Sequence, residues 1–400
     1  MKIYVAGAKR SAVGSFMGSF TNVHPADLGA AVVRALIETT GAPADKLDEV
    51  IVGNVLSAGN GQGVGRQVAI KAGVPKEVPA YSINMVCGSA MKAVMNAVSA
   101  IKAGDAEMII AGGVECMSNA PYLTPKNTRG GLRMGDFKMV DHMVFDALTD
   151  AYSGVHMGIT AENIAEKYGI TREMQDQLSL DSQRKAIAAV DGGLFKNEIV
   201  PVKAKIGKEE KIIDTDEHPN RTTNPEKMAK LRTAFKQGGT VTAGNASGIN
   251  DGAAFVLVAS EEAVKKYNLK PLFEIVSVGQ GGVDPQYMGL GPVPAIKNAL
   301  GKTEYKLQDM EVVELNEAFA AQAWGVVTEL SEFYGMTREQ ILEKTNPRGG
   351  AIALGHPVGA SGCRILVTLV HEMLDNNYNL GLASLCIGGG MGTAIVLKKA

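Results

Sequence analysis

Two stretches of this chain are apolar around most of a helical circumference. In residues 87–101 Lys92 is the only charged side chain, and in residues 359–373 Arg364 is the only one early in the run. A helix without a polar face must be covered on nearly all sides, so the pattern predicts two buried helices. Each begins at glycines and is followed by a short apolar strand pattern ending in glycine, residues 107–113 and 382–389. Upstream, a helical pattern at 26–40 precedes a strand pattern at 46–55, and one at 293–300 precedes another at 306–316. Both read as helix, acidic turn, buried strand and an asparagine at the strand end, Asn54 and Asn316. The chain therefore uses one unit twice. Such alternation predicts mixed, largely parallel sheets with right-handed crossovers. Two halves that each need cover on both faces of a helix predict sheets sandwiching a shared helical layer. The two buried helices would meet there with their N-terminal ends close, bringing Cys87 near His356.

The stretch between the halves, residues 117–247, has a different character: rich in charge, Gly, Asn and Pro, with amphipathic helices predicted at 161–168 and 172–190. Within it, residues 203–236 carry more basic than acidic side chains. It reads as a lid inserted into a first half formed by 1–116 plus 248–268, with 269–400 as the second half. A length of 400 residues agrees with more than one domain. Residues 1–6 read directly as a strand, leaving no room for a leader, and no apolar run approaches the roughly 20 residues of a membrane span. The C-terminus shows no peroxisomal address, so the expected compartment is the cytoplasm.

Composition excludes more than it selects. A net charge of −2 argues against nucleic acid or an anionic membrane as the main partner. Four cysteines without a CxxC pair argue against a disulfide framework or a zinc cluster and for a reducing compartment. The six histidines show no HExxH or other metal spacing. The alternating glycines from Gly59 to Gly65 lack the GxGxxG spacing of a dinucleotide fingerprint.

Three reactive residues stand in glycine-rich settings. Cys87, in Val86-Cys87-Gly88-Ser89, precedes a buried helix whose free N–H groups favour an anion. That position predicts a thiol lowered from about 8.5 to roughly 3.5–7.5, and position alone leaves a small core cysteine equally open. His356 lies in Gly355-His356-Pro357-Val358-Gly359, a backbone more constrained than a surface loop needs, and reads as a base for a thiol. Cys386 ends an apolar strand and runs into Ile387-Gly388-Gly389-Gly390, where backbone N–H groups can approach a ligand; a plain strand-to-turn junction is the alternative. Asn316, at another strand end, can orient a water or an oxyanion, or simply satisfy a turn. Two thiols and an imidazole in one pocket suit acyl chemistry that makes or breaks a carbon–carbon bond.

These residues carry a resemblance. Asn84-Met85-Val86-Cys87-Gly88-Ser89, His156-Met157-Gly158-Ile159, Val241-Thr242-Ala243-Gly244-Asn245-Ala246-Ser247-Gly248, Asn316-Glu317-Ala318-Phe319-Ala320, Gly349 to Gly362 and Cys386 to Gly392 follow the motif order of the thiolases. The chain resembles that family over essentially its whole length, most closely its acetoacetyl-CoA-forming members. The resemblance implies the thiolase fold: two similar βαβαβαββ halves in a five-layered αβαβα arrangement with an inserted loop domain. It implies that Cys87 becomes acetylated with His356 taking its proton, and that Cys386 deprotonates a second acetyl-CoA to give acetoacetyl-CoA plus CoA. It implies one oxyanion hole from His356 and an Asn316-held water, and another from the N–H groups of Cys87 and Gly388. His156, Met157, Ala243, Ser247, Ala318 and Phe319 would line a pantetheine tunnel, and Arg221 and Lys227 would neighbour the CoA phosphates. Met157, Met288 and Phe319 would narrow the acyl pocket toward short chains. No metal or redox cofactor is implied, and a homotetramer joined partly through residues 119–141 is.

The alternatives are a broader-range 3-ketoacyl-CoA thiolase of β-oxidation and a CoA-binding protein without catalysis, which would need neither thiol. A ketoacyl synthase would carry a histidine at Cys386. Four features depart from the family pattern: Arg348 in place of an asparagine, Cys363 in place of a small residue, Val155 in place of an aromatic, and a longer connection at 326–345.

Overall fold

The computed structural model describes residues 1–400. Its strands are β1 (Ile3–Ser11), β2 (Glu49–Gly53), β3 (Ala80–Ile83), β4 (Met108–Cys116), β5 (Asn250–Ser260), β6 (Phe273–Gly282), β7 (Val312–Leu315), β8 (Leu380–Ile387) and β9 (Met391–Lys399). The longer helices are α1 (Pro25–Thr40), α2 (Val64–Ala72), α3 (Ser89–Ala103), α4 (Met157–Tyr168), α5 (Arg172–Asp191), α6 (Pro292–Leu300), α7 (Ala320–Tyr334) and α8 (Ser361–Asp375). None is long and apolar enough to cross a membrane.

The repeat read from the sequence is a repeat of topology. In the first half the strand order is β3-β2-β4-β5-β1, and in the second it is β7-β8-β9-β6. Thr345 adds a parallel bridge to Val313, in the second half's counterpart of the place that Ala80 of β3 takes beside Val50 in the first. Only two residue pairs, Tyr4 with Glu274 and Val5 with Phe273, join the halves through β1 and β6. The expectation of largely parallel sheets needs correcting. β2 pairs parallel with β3 and β4, and β7 with β8, whereas β1–β5, β4–β5, β6–β9 and β8–β9 are antiparallel. The reason is visible at Gly389 and Gly390. Both take positive φ, 83° and 84°, and turn the chain tightly from β8 into β9, which forces an antiparallel pair.

Alternation along the strands divides the core. Ile109 and Ala111 of β4 face inward with Ile51, Val256, Phe273, Ile395 and the helices α3 and α8. Met108 and Ile110 face outward onto α1 and α2, and Val313 and Leu315 face outward onto α6 and α7. The layers run helix, sheet, helix, sheet, helix, as the uniformly apolar patterns demanded. The central helices touch at their N-terminal ends: a Cβ on Gly362 of α8 would lie 2.7 Å from the Cβ of Met91 on α3. Both begin two residues later than the pattern predicts, at Ser89 and Ser361.

Residues between β4 and β5 contribute α4, α5 and a hairpin of Val202–Ile206 with Glu209–Ile213. They are also tied to the core, since Ile199 and Val200 pair with the end of β1. Arg10 of β1 is buried and donates to Glu198 and, through both terminal nitrogens at 2.7 and 2.8 Å, to Asp216.

Arg348 makes a comparable tie. It is 1% exposed and donates to Glu372, to Asp375 at 2.6 Å and to the Leu194 carbonyl at 2.5 Å. An asparagine cannot span these partners, and the nearly buried Glu372 would lose its cation. Arg348→Asn is expected to lower the unfolding free energy by about 3 kcal/mol, read as a reduced urea midpoint at unchanged m-value.

Candidate active site

Cys87 sits on a strained turn rather than on its helix. Val86 before it has φ 47°, a left-handed conformation that a β-branched side chain avoids. Short-range hydrogen bonds hold it: Asn84 Oδ1 accepts from the Val86 N–H at 2.9 Å, and Ser89 Oγ accepts from Met85 N–H and donates to the Val86 carbonyl. Gly88 leaves room for Ile387, whose Cδ1 would lie 2.2 Å from a Cβ at that position and would have to move. That close approach draws the end of β8, with Cys386, against the Cys87 turn. The N–H of Gly388 and the N–H of Cys87 itself face the Cys87 sulfur, and the two thiols lie within each other's field.

His356 arrives from the second half. Gly355 turns the chain with φ 100°, and the His356 N–H donates to Asn250 Oδ1 at 2.9 Å. The ring Nδ1 lies 2.6 Å from Ser361 Oγ, which donates its own proton to the Pro357 carbonyl at 2.8 Å. With that proton committed, the hydroxyl accepts from Nδ1–H, so the lone pair is on Nε2. Nε2 has no protein partner, and His356 lines the same cavity as both thiols.

The cavity has a volume of about 610 Å³. Cys87, Cys386, Gly388 and His356 lie on its wall with His156, Met157, Ala243, Ser247, Met288, Ala318 and Phe319. His156 caps α4, its Nδ1 accepting from the Gly158 N–H at 3.0 Å, and it stacks on Phe235 at 4.6 Å between centroids. Phe319 meets Phe235 edge-on. Ser247 N–H donates to the Ala318 carbonyl at 2.9 Å, which zips two sequence-predicted segments into one wall. The enclosure is mostly apolar, and its polar side chains are the two thiols, His356, His156, His218, Ser15 and Ser247.

The chain matches the model of the thiolase N-terminal domain over residues 3–262 and of the thiolase C-terminal domain over residues 269–399. It belongs to the thiolase family. It is 52% identical to an acetyl-CoA acetyltransferase of Pseudomonas aeruginosa over 398 residues, and 52% identical to one of Syntrophomonas wolfei over 399, with 99% of each chain covered in both cases. A crystal structure of the Bacillus anthracis acetyl-CoA acetyltransferase superposes with TM-score 0.95 at 40% identity, covering 100% of this chain and 99% of that one. Human mitochondrial 3-ketoacyl-CoA thiolase in complex with CoA superposes with TM-score 0.93 at 41% identity, covering 100% and 98%.

Within this thiolase site the electrostatics correct one expectation. Burial pushes the Cys87 thiol up to about 11, against the pull of the Gly388 and Cys87 N–H groups. The predicted lowering fails because the sulfur lies before the helix and under apolar side chains, so desolvation exceeds the field of the N–H groups. Burial also raises Cys386, with Cys87 adding to the effect. Burial and then the Arg364 cation push His356 down to about 4. At neutral pH these shifts leave both thiols and the imidazole neutral in the resting site, with Nε2 open to accept a thiol proton.

Asn316 follows β7, its N–H donating to the Ser384 carbonyl at 3.0 Å. It is fully buried, with neither side-chain atom partnered, and it is not among the residues lining the cavity. Arg221 and Lys227 are apart from the cavity: Arg221 forms a two-pronged ion pair with Asp191 at 3.0 and 2.6 Å, and Lys227 donates to the Thr222 carbonyl. Phe235, Leu148, His218 and Val358 line the cavity without having been singled out in the sequence. Phe235 had a usable signal, an aromatic isolated in a basic stretch. Ser361 and Asn250 had none, since their roles are contacts with His356.

Proposed function

We propose that the protein is an acetyl-CoA C-acetyltransferase, condensing two acetyl-CoA reversibly to acetoacetyl-CoA plus CoA through an acetyl-Cys87 intermediate. The observation that carries this reading is the joint enclosure of Cys87, Cys386 and a neutral His356 in one mostly apolar cavity. Cys87 Sγ attacks the thioester carbonyl as His356 Nε2 takes the thiol proton, and that proton leaves with CoA. Cys386 then gives its thiol proton to the neutral His356 and, as a thiolate, removes a proton from the methyl group of a second acetyl-CoA. The carbanion attacks the acetyl-enzyme, the new carbon–carbon bond forms and the Cys87 bond breaks, with the His356 proton returning to the Cys87 sulfur. The thioester itself acidifies the α-carbon, so the proposal calls on no metal or redox cofactor.

The N–H groups of Cys87 and Gly388 would receive the oxyanion of the acyl-enzyme steps. Asn316 would hold a water that joins His356 in stabilising the enolate; its unpartnered buried amide supports a missing hydrogen-bond partner. Loss of one oxyanion donor typically costs about 2.7–4 kcal/mol of barrier. His156, Met157, Ala243, Ser247, Ala318 and Phe319 would face the pantetheine arm. Met157, Met288 and Phe319 would crowd the acyl end. Exposed Leu132, Met134, Phe137 and Met139 on the 119–141 segment support self-association there as a homotetramer, and four free cysteines support a reducing, cytoplasmic setting.

Thiolysis rates on 3-ketoacyl-CoA substrates of four and of eight to sixteen carbons test the substrate range. A rate falling by roughly tenfold or more beyond four carbons is expected from the crowded acyl end. Equal rates along the series would replace the short-chain reading with a broad-range 3-ketoacyl-CoA thiolase.

A further inference from the structure

The repeat sets a buried carboxylate in the first half where the second half has Cys386. Gly53 pairs with Gly113, and Leu315 pairs with Ser384; Asn54 and Asn316 follow directly. Counting two residues on along the neighbouring strands aligns Glu115 with Cys386. The central helices begin at Ser89 and Ser361, which aligns Cys87 with Gly359. Cys386 faces Cys87. Correspondingly, Glu115 Oε2 accepts from the Gly359 N–H at 3.0 Å. One half uses this contact for two reactive thiols, and the other for a carboxylate and a backbone amide.

Glu115 is fully buried and has no basic side chain hydrogen-bonded to it. Oε1 accepts from Asn54 Nδ2 at 3.0 Å and from the Leu56 N–H at 3.1 Å. Oε2 accepts from the Val55 N–H at 2.9 Å and from Gly359. Four donors converge on one carboxylate from two segments distant in sequence. Gly359 is pressed into place: a Cβ there would lie 2.4 Å from Oε2, and its carbonyl oxygen lies 2.7 and 2.1 Å from where Cβ atoms on Gly53 and Gly113 would be. Val55, Leu56 and Val358 pack in one cluster against Cys87. The contact therefore joins the segment carrying His356 to the loop that backs Cys87.

We propose that Glu115 is a positioning residue for the acyl transfer: its carboxylate fastens the His356 segment to the first half and so sets the approach of imidazole to thiol. The inference rests on the thiolase chemistry proposed above. Burial raises the Glu115 carboxyl to about 7 against the pull of the backbone N–H groups. The demand is nevertheless charge-specific, because each oxygen receives two donors and only the ionised form accepts all four. A glutamine of the same shape would turn an NH₂ group toward two N–H groups whichever way it rotated, losing two charge-assisted hydrogen bonds.

The test compares wild type with Glu115→Gln in acetoacetyl-CoA thiolysis, in CoA affinity by calorimetry, and in single-turnover acetylation of Cys87 by acetyl-CoA. The expected result is a kcat and an acetylation rate lower by roughly 10²-fold, with KM and CoA affinity within about threefold because the pantetheine wall is untouched. Wild-type kcat in the folded variant overturns the proposal. So does a parallel collapse of kcat, KM and CoA affinity, which would mark general loosening. If Glu115→Gln does not fold, Asn54→Ala removes one of the four donors and keeps the charge; roughly a fivefold fall in kcat at unchanged KM is then expected, and an unchanged kcat overturns the role. A wild-type protein that turns over no acyl-CoA would defeat the functional reading itself, whereas a fully active Glu115→Gln defeats only the role of Glu115.

Discussion

Cys87→Ser is expected to lose thiolysis and condensation together, by roughly 10³-fold or more in kcat, with a melting temperature close to wild type. The sulfur is what the site is built around: a strained Val86 turn, the absence of a Cβ at Gly88, and two N–H groups facing Sγ. A serine hydroxyl is a far weaker acid than a thiol, and the only base offered is an imidazole pushed down to about 4 by burial. Deprotonation of the hydroxyl by so weak a base adds a barrier that the N–H groups cannot cancel. Mass spectrometry after acetyl-CoA treatment should show one added acetyl group on wild type and none on the variant. Full activity in Cys87→Ser would end the assignment of this residue as nucleophile.

The second large effect separates the two thiols. Cys386→Ala should stop condensation, with a fall of roughly 10²–10⁴-fold from loss of the acid–base group. It should leave exchange of label between CoA and acetyl-CoA within about tenfold of wild type, because acylation calls only on Cys87, His356 and the N–H groups. The cavity keeps its shape, since Cys386 is small and already buried at 1% exposure. A variant that loses both reactions equally would show that Cys386 acts on acylation as well, and one that keeps both would remove it from the chemistry.

Much of the architecture was legible because it is written in short-range patterns. The uniformly apolar helices predicted a central layer, and β4 shows the alternation that separates inner from outer core. The repeat of strand and closing asparagine located Asn54 and Asn316 at matching strand ends. The helix starts were read two residues early. Glycines open helices readily, and nothing local to Cys87 says that Val86 will hold a left-handed turn against Ile387, 301 positions along the chain. The parallel bias was overestimated for a related reason: the Gly388 to Gly390 run reads as a ligand loop and serves also as a hairpin turn.

The sequence by itself determined the repeated unit, the inward faces of its strands and helices, and a motif order that identifies the thiolase family, with Cys87, Cys386 and His356 as the proposed reactive set. Those are properties of neighbouring residues and of their spacing. Only the tertiary structure decided that the thiols rest neutral, that Ser361 directs the His356 lone pair, that Phe235 stacks against His156, and that Glu115 ties Gly359 to the loop behind Cys87. Protonation depends on what covers a group, and hydrogen bonds depend on which distant backbone is pressed against it. Both are settled when the two halves close on their shared helices.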